Sequence, residues 1–234
     1  MGFLDGLESQ AARLQSRQAI QNENLETSAT PNRSGQPILM SNSDFPSDTV
    51  VIEDTRHWLR RAVIGLNLCP FAKSVDVKDQ VHYAVTRNVG FKDLLADLQQ
   101  ELDALAATDA AVRDTTLFIV PDGLTDFFEF NDFLAQANRL LVKLGHEGVF
   151  QIASLHPHYQ FADAAADAVT NCTNRSPYPT LHLLREDSID RAVKAFPHAE
   201  AIFETNMRTM ERLGHRGWEA LEVGASGGPA QLPR

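Results

Sequence analysis

Between Phe150 and Glu186 the chain carries His156, His158, Tyr159, Asn171, Cys172, Asn174, Arg175, Ser176, Tyr178, His182 and Arg185, flanked by apolar, strand-like ends. Histidines titrate near neutral pH and suit proton transfer. Arg175 and Arg185 carry planar donor forks that match a carboxylate or a phosphate. A polar connection this long between buried elements is more often functional than a mere link. Its stiffest piece is Asn174-Arg175-Ser176-Pro177-Tyr178-Pro179, because each proline fixes its own φ and restricts the residue before it. Asn174, Arg175, Ser176 and Tyr178 are therefore read as substrate-binding groups, with His182 and Arg185 as further candidates beyond the turn. The structural alternative is a turn whose Asn and Ser bond their own backbone, with Arg175 in an ion pair such as one with Glu186.

His156 and His158 follow a predicted strand ending at Leu155, and α/β sheets present ligands beyond the carboxyl ends of their strands. Both are candidate catalytic residues, one as a general base. On an extended chain they would project to opposite sides unless Pro157 bends the path. Cys69 is the third catalytic candidate, a nucleophilic or redox thiol. If Pro70 opens a helical turn with Cys69 at its cap, the free backbone N–H groups favour the thiolate. The competing reading is a cysteine that fills space beside Phe71. A zinc site can be assembled on paper from Cys69, His156 or His158, Cys172 and His182, but no C-x-x-C or H-x-x-x-H pair is present, and no metal is expected. The chain lacks G-x-G-x-x-G, P-loop and G-x-S-x-G motifs, so no cofactor is assigned.

The elements that must position these residues are legible from periodicity. Leu59, Ala62, Val63 and Leu66 predict a first amphipathic helix, starting near Ser47 and Asp48. Val81 to Arg87 predicts a strand, and Leu94, Leu95, Leu98, Leu102 and Leu105 a second helix. Thr116 to Val120 is a short buried strand ended by Pro121-Asp122-Gly123. Phe130 to Leu144 predicts a helix capped by Gly145. Val149 to Leu155 and Thr180 to Leu184 are strands, and Ile189 to Phe196 and Ala199 to Leu221 are helical. This alternation predicts a single α/β domain at 48–221, with a small mostly parallel or mixed sheet of about four strands covered by helices. The alternative is a two-layer ferredoxin-like α+β fold. Residues 1–47 read as a disordered arm and 222–234 as a disordered tail.

The charge of −10, from 21 Lys and Arg against 31 Asp and Glu, argues against a nucleic-acid surface. Two cysteines do not make a disulfide framework, no apolar run is long enough to span a membrane, and the acidic N-terminus is not a signal peptide. A cytoplasmic, soluble protein with a small-molecule ligand is expected, its oligomeric state open.

Three strings, TRHWLRRAVIGLNLCPFAK, FQIASLHPHYQFA and TNRSPYPTLHLLRE, resemble in order the bacterial family filed as domain of unknown function 1415, over about residues 48–221. The positions held here by Cys69, Pro70, His156, Pro157, Asn174 through Pro179 and His182 match that family's pattern. The resemblance implies no particular activity. The function expected from the residues is an enzyme acting on a small polar or anionic molecule through a Cys/His/Arg site, with Cys69, His156 and Arg175 lining one cleft. A non-enzymatic binding or regulatory module and a metal-stabilised structural protein are the alternatives.

Overall fold

The computed structural model describes residues 46–195 and 201–227. The expected N-terminal arm, apart from its last two residues, lies outside them. The first helix, α1 (Asp48–Trp58), begins where the sequence places it. Ser47 caps it by accepting the Val50 N–H at 3.4 Å, and Val51, Thr55 and Trp58 form its buried face. It continues as a π-helical stretch, Leu59–Ile64, in which the Leu68 N–H reaches back to Val63 O at 2.8 Å. The wider turn rotates the apolar stripe, so Ala62 is buried whereas Val63 and Leu66 are only partly covered.

A short helix, α2 (Ala72–Val77), leads to β1 (Val81–Val85), α3 (Phe91–Ala107), β2 (Thr115–Ile119), α4 (Phe127–Lys143) and β3 (Phe150–Leu155). Then come β4 (Thr180–Arg185), α5 (Glu186–Ala195) and α6 (Ile202–Glu219). The four strands lie in the order β1-β2-β4-β3. β1 pairs parallel to β2, while β4 runs antiparallel to both β2 and β3. The fold is thus one α/β domain with a mixed open sheet, in which β4 is inserted between two strands that point the same way.

Both faces of the sheet are covered. On one, Leu94, Leu98, Leu102 and Leu105 of α3 and Phe130, Phe133 and Ala137 of α4 pack on Ala84, Phe118, Ile152, Leu181 and Leu183. On the other, Leu117 and Ile119 meet Val51 and Tyr178. A neighbouring cluster there joins α1 to α6 through Trp58, Leu59, Met210 and Trp218. The strands alternate in which face they feed, so β2 is buried along its whole length. α6 is broken at Gly214, whose φ of 64° and ψ of 174° suit a residue without a Cβ. The break redirects the last turn, which carries Trp218.

Of the expected tail at 222–234, residues 222–227 are described and the rest lie outside the described residues. Val223 and Gly224 are buried, and the Ser226 N–H bonds the Asp54 carboxylate, because α1 and Tyr178 offer this segment an apolar face and an acceptor. No described helix is long and apolar enough to cross a membrane.

Leu98 is fully buried between α3 and the sheet. Leu98→Ala is expected to lower the unfolding free energy by roughly 2–5 kcal/mol, read by urea denaturation with an unchanged m-value.

Candidate functional site

The chain between β3 and β4 is not a surface loop but a folded layer. Tyr159 and Phe161 turn inward to join the aromatic residues of α4. Asn171 Oδ1 accepts the Phe161 N–H at 3.1 Å, and its Nδ2 donates to Ala165 O at 2.8 Å. Residues Val169–Asn174 form 3-10 turns on which α6 packs. Arg175 through Thr180 are all buried. The Trp58 indole N–H donates to Arg175 O at 2.8 Å, tying this stretch to α1.

His156 anchors the layer at the end of β3. Its Nε2 lies 2.9 Å from Leu124 O, and its Nδ1 lies 3.0 Å from the His158 backbone N. A carbonyl can only accept and an amide can only donate, so the ring is the neutral Nε2–H tautomer with both nitrogens engaged. It packs against Phe127 and Phe130 at centroid distances of 5.2 and 5.0 Å. Burial pushes its pKa down to about 4, more strongly than the Leu124 bond raises it. Leu124 itself sits at φ 56°, a conformation that costs a bulky residue on the order of 1–2 kcal/mol; the His156 bond helps to hold it there.

Pro157 does bend the path. The Tyr159 N–H closes a turn on His156 O at 3.1 Å, and the two imidazoles end 5.8 Å apart. His158 is exposed, and neither of its ring nitrogens has a hydrogen-bond partner among the described residues. Partial burial, then Arg175, lower its pKa, and Asp126 opposes them.

Beyond these turns lies a cavity of about 230 Å³, at the carboxyl ends of β2 and β3 and the amino end of β4. Pro121 and Thr125 reach it from the turn after β2, and Pro157 and His158 from the turn after β3. The rigid stretch contributes Arg175 to Pro179, and the C-terminal side contributes Trp218, Val223, Gly224 and Ala225. Among the described residues lining it, none is Asp or Glu.

Arg175 is the cation of the cavity wall. Its guanidinium contacts Tyr159 O at 3.4 Å, Ala166 O at 3.1 Å and Cys172 Sγ at 3.9 Å. All three acceptors are neutral, since burial raises the Cys172 thiol above its usual pKa despite Arg175 beside it. No carboxylate pairs with Arg175 among the described residues. Burial lowers its pKa, yet guanidinium stays protonated at neutral pH. The loop hydroxyls are used locally: Ser176 Oγ and Thr180 Oγ1 both donate to Tyr178 O, at 2.6 and 2.9 Å. Asn174 bonds Ser154 O at 3.4 Å, and its carbonyl accepts the His156 N–H at 3.2 Å. The Tyr178 hydroxyl donates to Asp54 at 2.7 Å, and burial and this carboxylate raise its pKa.

Of the sequence candidates, His158, Arg175, Ser176 and Tyr178 line one cavity. Asn174 supports it from behind, as does His156, whose nitrogens are already committed. Cys69, His182 and Arg185 stand apart from the lining, so the expected cleft of Cys69, His156 and Arg175 is corrected: only Arg175 of the three faces it. The amides of Phe71 and Ala72 do favour a Cys69 thiolate, but burial outweighs them and raises the thiol pKa. His182 lies within 2.6 Å of Thr115 Oγ1, whose one proton goes to Leu183 O at 2.7 Å, so the ring donates from Nε2. Arg185, at the far end of β4, ties together the carbonyls of Leu105, Thr108 and Arg113. Five strand steps place it roughly 17 Å from the cavity end. Among the described residues no three His, Cys, Asp or Glu gather as a metal site.

Sequence reasoning missed Asp54, Trp218 and the segment from Val223 to Ala225. Trp218, 1% exposed, has no acceptor for its indole N–H among the described residues. Only its size and position near the end of a predicted helix could have marked it.

Fold and cavity together define an α/β domain with a mixed, helix-covered sheet and a cleft at its strand ends whose described lining holds no carboxylate. The chain belongs to the family described as protein of unknown function DUF1415, whose model matches residues 50–220. No curated protein and no solved structure matches it.

Two predictions concern the cleft's supports. His156 and His182 are both held at a pKa of about 4, against 6.5 for a free histidine. The unfolded chain therefore takes up these protons first, so the stability both rings contribute is full above pH 6.5 and lost as the pH falls from 6.5 towards 4. At about 1.4 kcal/mol per pH unit the loss is at most on the order of 3 kcal/mol per ring. Urea titrations at pH 7, 5.5 and 4.5 are expected to record the decline, and His156→Gln to flatten it while lowering stability at pH 7. Asp54→Ala removes the acceptor shared by Tyr178 and Ser226. Amide exchange at Ser226 should accelerate at least tenfold, with stability falling by about 1–3 kcal/mol; unchanged exchange there would show that Asp54 does not hold the segment.

Proposed function

We propose that the cavity at the ends of β2 and β3 binds a small anionic molecule, with Arg175 supplying the positive charge and His158 exchanging a proton with the ligand. The observation that carries this is the buried Arg175 guanidinium, whose acceptors among the described residues, Tyr159 O, Ala166 O and Cys172 Sγ, are all neutral, beside a described lining that includes no Asp or Glu. A buried charge without a counter-ion costs several kcal/mol, and an anion in the cavity offsets that cost. Rigid backbone favours the same reading, because prolines at 177 and 179 hold Ser176 and Tyr178 in place without a ligand, so little ordering cost falls on binding.

Chemistry in such a site falls to His158, the cavity imidazole whose nitrogens are unengaged among the described residues. With its pKa lowered it is neutral at pH 7 and able to accept a proton. Asn174, Ser176 and Tyr178 shape the pocket, and Ser176 Oγ, having donated its own proton to Tyr178 O, keeps its lone pairs for a ligand donor. Cys69, His156, His182 and Arg185 are assigned supporting roles in the fold. A binding module without catalysis is the second reading, favoured by a described lining whose hydroxyls are the already bonded Ser176 and Tyr178 and the weakly nucleophilic Thr125, with no thiol among them.

Titration with sodium acetate and with inorganic phosphate, followed by amide and indole resonances, tests the anion reading. Shifts confined to Ser176, Ala225 and the Trp218 indole are expected with at least one anion. Arg175→Gln should weaken that binding about tenfold or more, the scale of a charge-assisted hydrogen bond, and Arg175→Lys should recover part of it. If neither anion perturbs these resonances in the folded protein, the reading is lost.

A further inference from the structure

One wall of the cavity is held differently from the rest. Pro121, Pro157, Pro177 and Pro179 reach it from the ends of the strands, where fixed φ angles and the bond from Val120 N–H to Pro179 O hold the backbone. Val223, Gly224 and Ala225 reach it from outside the sheet. Val223 is 2% exposed in the cluster of Trp58, Leu59, Met210 and Trp218, and Ala225 rests on that of Val51, Leu117, Ile119 and Tyr178. Apolar contact seals this side.

Its polar fastening is narrow. Among the described residues, Ser226 is where this segment is hydrogen-bonded to the body of the fold, its N–H on the Asp54 carboxylate that also accepts the Tyr178 hydroxyl. At the other end the Glu222 N–H closes a turn on Glu219 O at 3.0 Å, and its carboxylate stands 3.8 Å from Arg61 with both side chains exposed. Such a surface pair holds weakly. Glu222 and Ser226 both sit at positive φ, 51° and 54°, a region disfavoured for residues with a side chain. Strain at both ends and hydrogen-bonded ties at one residue favour local opening at a free energy well below that of unfolding.

We infer that residues 223–226 form a gate over the cavity, hinged at Glu222 and latched by Asp54, and that molecules enter and leave when the latch releases. The prolines on the strand side stay in place while the gate swings, so the cavity keeps its shape whether open or closed. The gate goes beyond the anion reading and does not depend on it.

Thiol labelling of the full chain tests the gate without any ligand. Ser176→Cys places a near-isosteric thiol in the cavity wall, at a residue 6% exposed, and the chain's own Cys172, 0% exposed and outside the lining, reports unfolding. Iodoacetamide labelling in water and in dilute urea is followed by peptide mass spectrometry, which reads the introduced thiol, Cys69 and Cys172 separately. The introduced thiol is expected to label at least tenfold faster than Cys172 and at least tenfold slower than in the urea-unfolded chain. Its rate should barely respond to dilute urea, because opening four residues exposes little surface. Asp54→Ala should raise that rate at least tenfold. Labelling that matches Cys172 in rate and urea response, or that is as fast as in the unfolded chain, would overturn the gate, and so would a rate that Asp54→Ala leaves unchanged. Should Asp54→Ala fail to fold, the chain with Asp54 intact still decides: opening constants from Ser226 amide exchange and from thiol labelling are expected to agree within about threefold, and a larger disagreement removes the gate.

Discussion

The neutral ring of His156 is the joint on which the site depends. One nitrogen donates to Leu124 O, in the turn after β2, and the other accepts from the His158 amide, in the turn after β3. Its own backbone N–H is taken by Asn174 O, just before the proline-restricted stretch. Three walls of the cavity are therefore referred to one side chain. The arrangement requires an imidazole without charge, because a second ring proton would face the His158 N–H, and burial between two phenylalanines enforces that state. A histidine that the sequence offers as a base thus serves as a brace, and the ring whose nitrogens are unengaged among the described residues is that of its neighbour, His158.

The sheet topology explains why a space exists there. β2 and β3 end on the same side, and the turns that follow each would meet if the strands were adjacent. β4 separates them, running the other way, so its first residues enter between the two turns. The chain leading into β4 must then be stiff enough not to collapse into the gap. Pro177 and Pro179 supply that stiffness, and the Val120 N–H, bonded to Pro179 O at 2.9 Å, continues the ladder one step past the strand. The fourth side is closed from the C-terminus, where the reversal at Gly214 and the Asp54 acceptor bring Trp218 and residues 223–226 across the opening.

The parts of this that are local in sequence were legible there. Periodicity marks α3 and α4 with their leucine and phenylalanine stripes, the short apolar runs mark β2 and β3, and paired prolines mark the rigid stretch. Residue types and positions predict one site of Cys69, His156, His158, Asn174, Arg175, Ser176, Tyr178, His182 and Arg185, of which His158, Arg175, Ser176 and Tyr178 line the cavity. What the sequence conceals is whatever depends on which atoms are left over after packing. Nothing in the string H-P-H tells which ring will be sealed by phenylalanines more than twenty residues away. Cys69 lies two residues before the Phe71 N-cap rather than at the cap anticipated for it, and the desolvation of its thiol exceeds the effect of the two amides, a balance set by tertiary cover. The Gly- and Ala-rich segment after Leu221 looks featureless because the group that ties it down is a backbone N–H, that of Ser226, and Trp218 is marked by its burial in the α1–α6 cluster.

Electrostatics then decides how such a cavity can work in a chain of charge −10. At long range the protein repels anions, so steering does not bring one to the cavity. Any positive field there is confined to the Debye length of about 8–10 Å, where solvent screening is incomplete. Two nearby carboxylates would spoil that contact if free. Asp54 is occupied by the Tyr178 hydroxyl and the Ser226 amide, and Asp126 caps α4 by accepting the Phe128 and Glu129 amides at 2.8 and 3.0 Å. Both have their lone pairs turned to donors and their charge spread into a helix start or a backbone turn. Arg175, by contrast, meets only neutral carbonyls and a thiol. The local field of the cavity is thus set by Arg175, a buried cation that no acid among the described residues neutralises, and this local imbalance is opposite in sign to the whole chain.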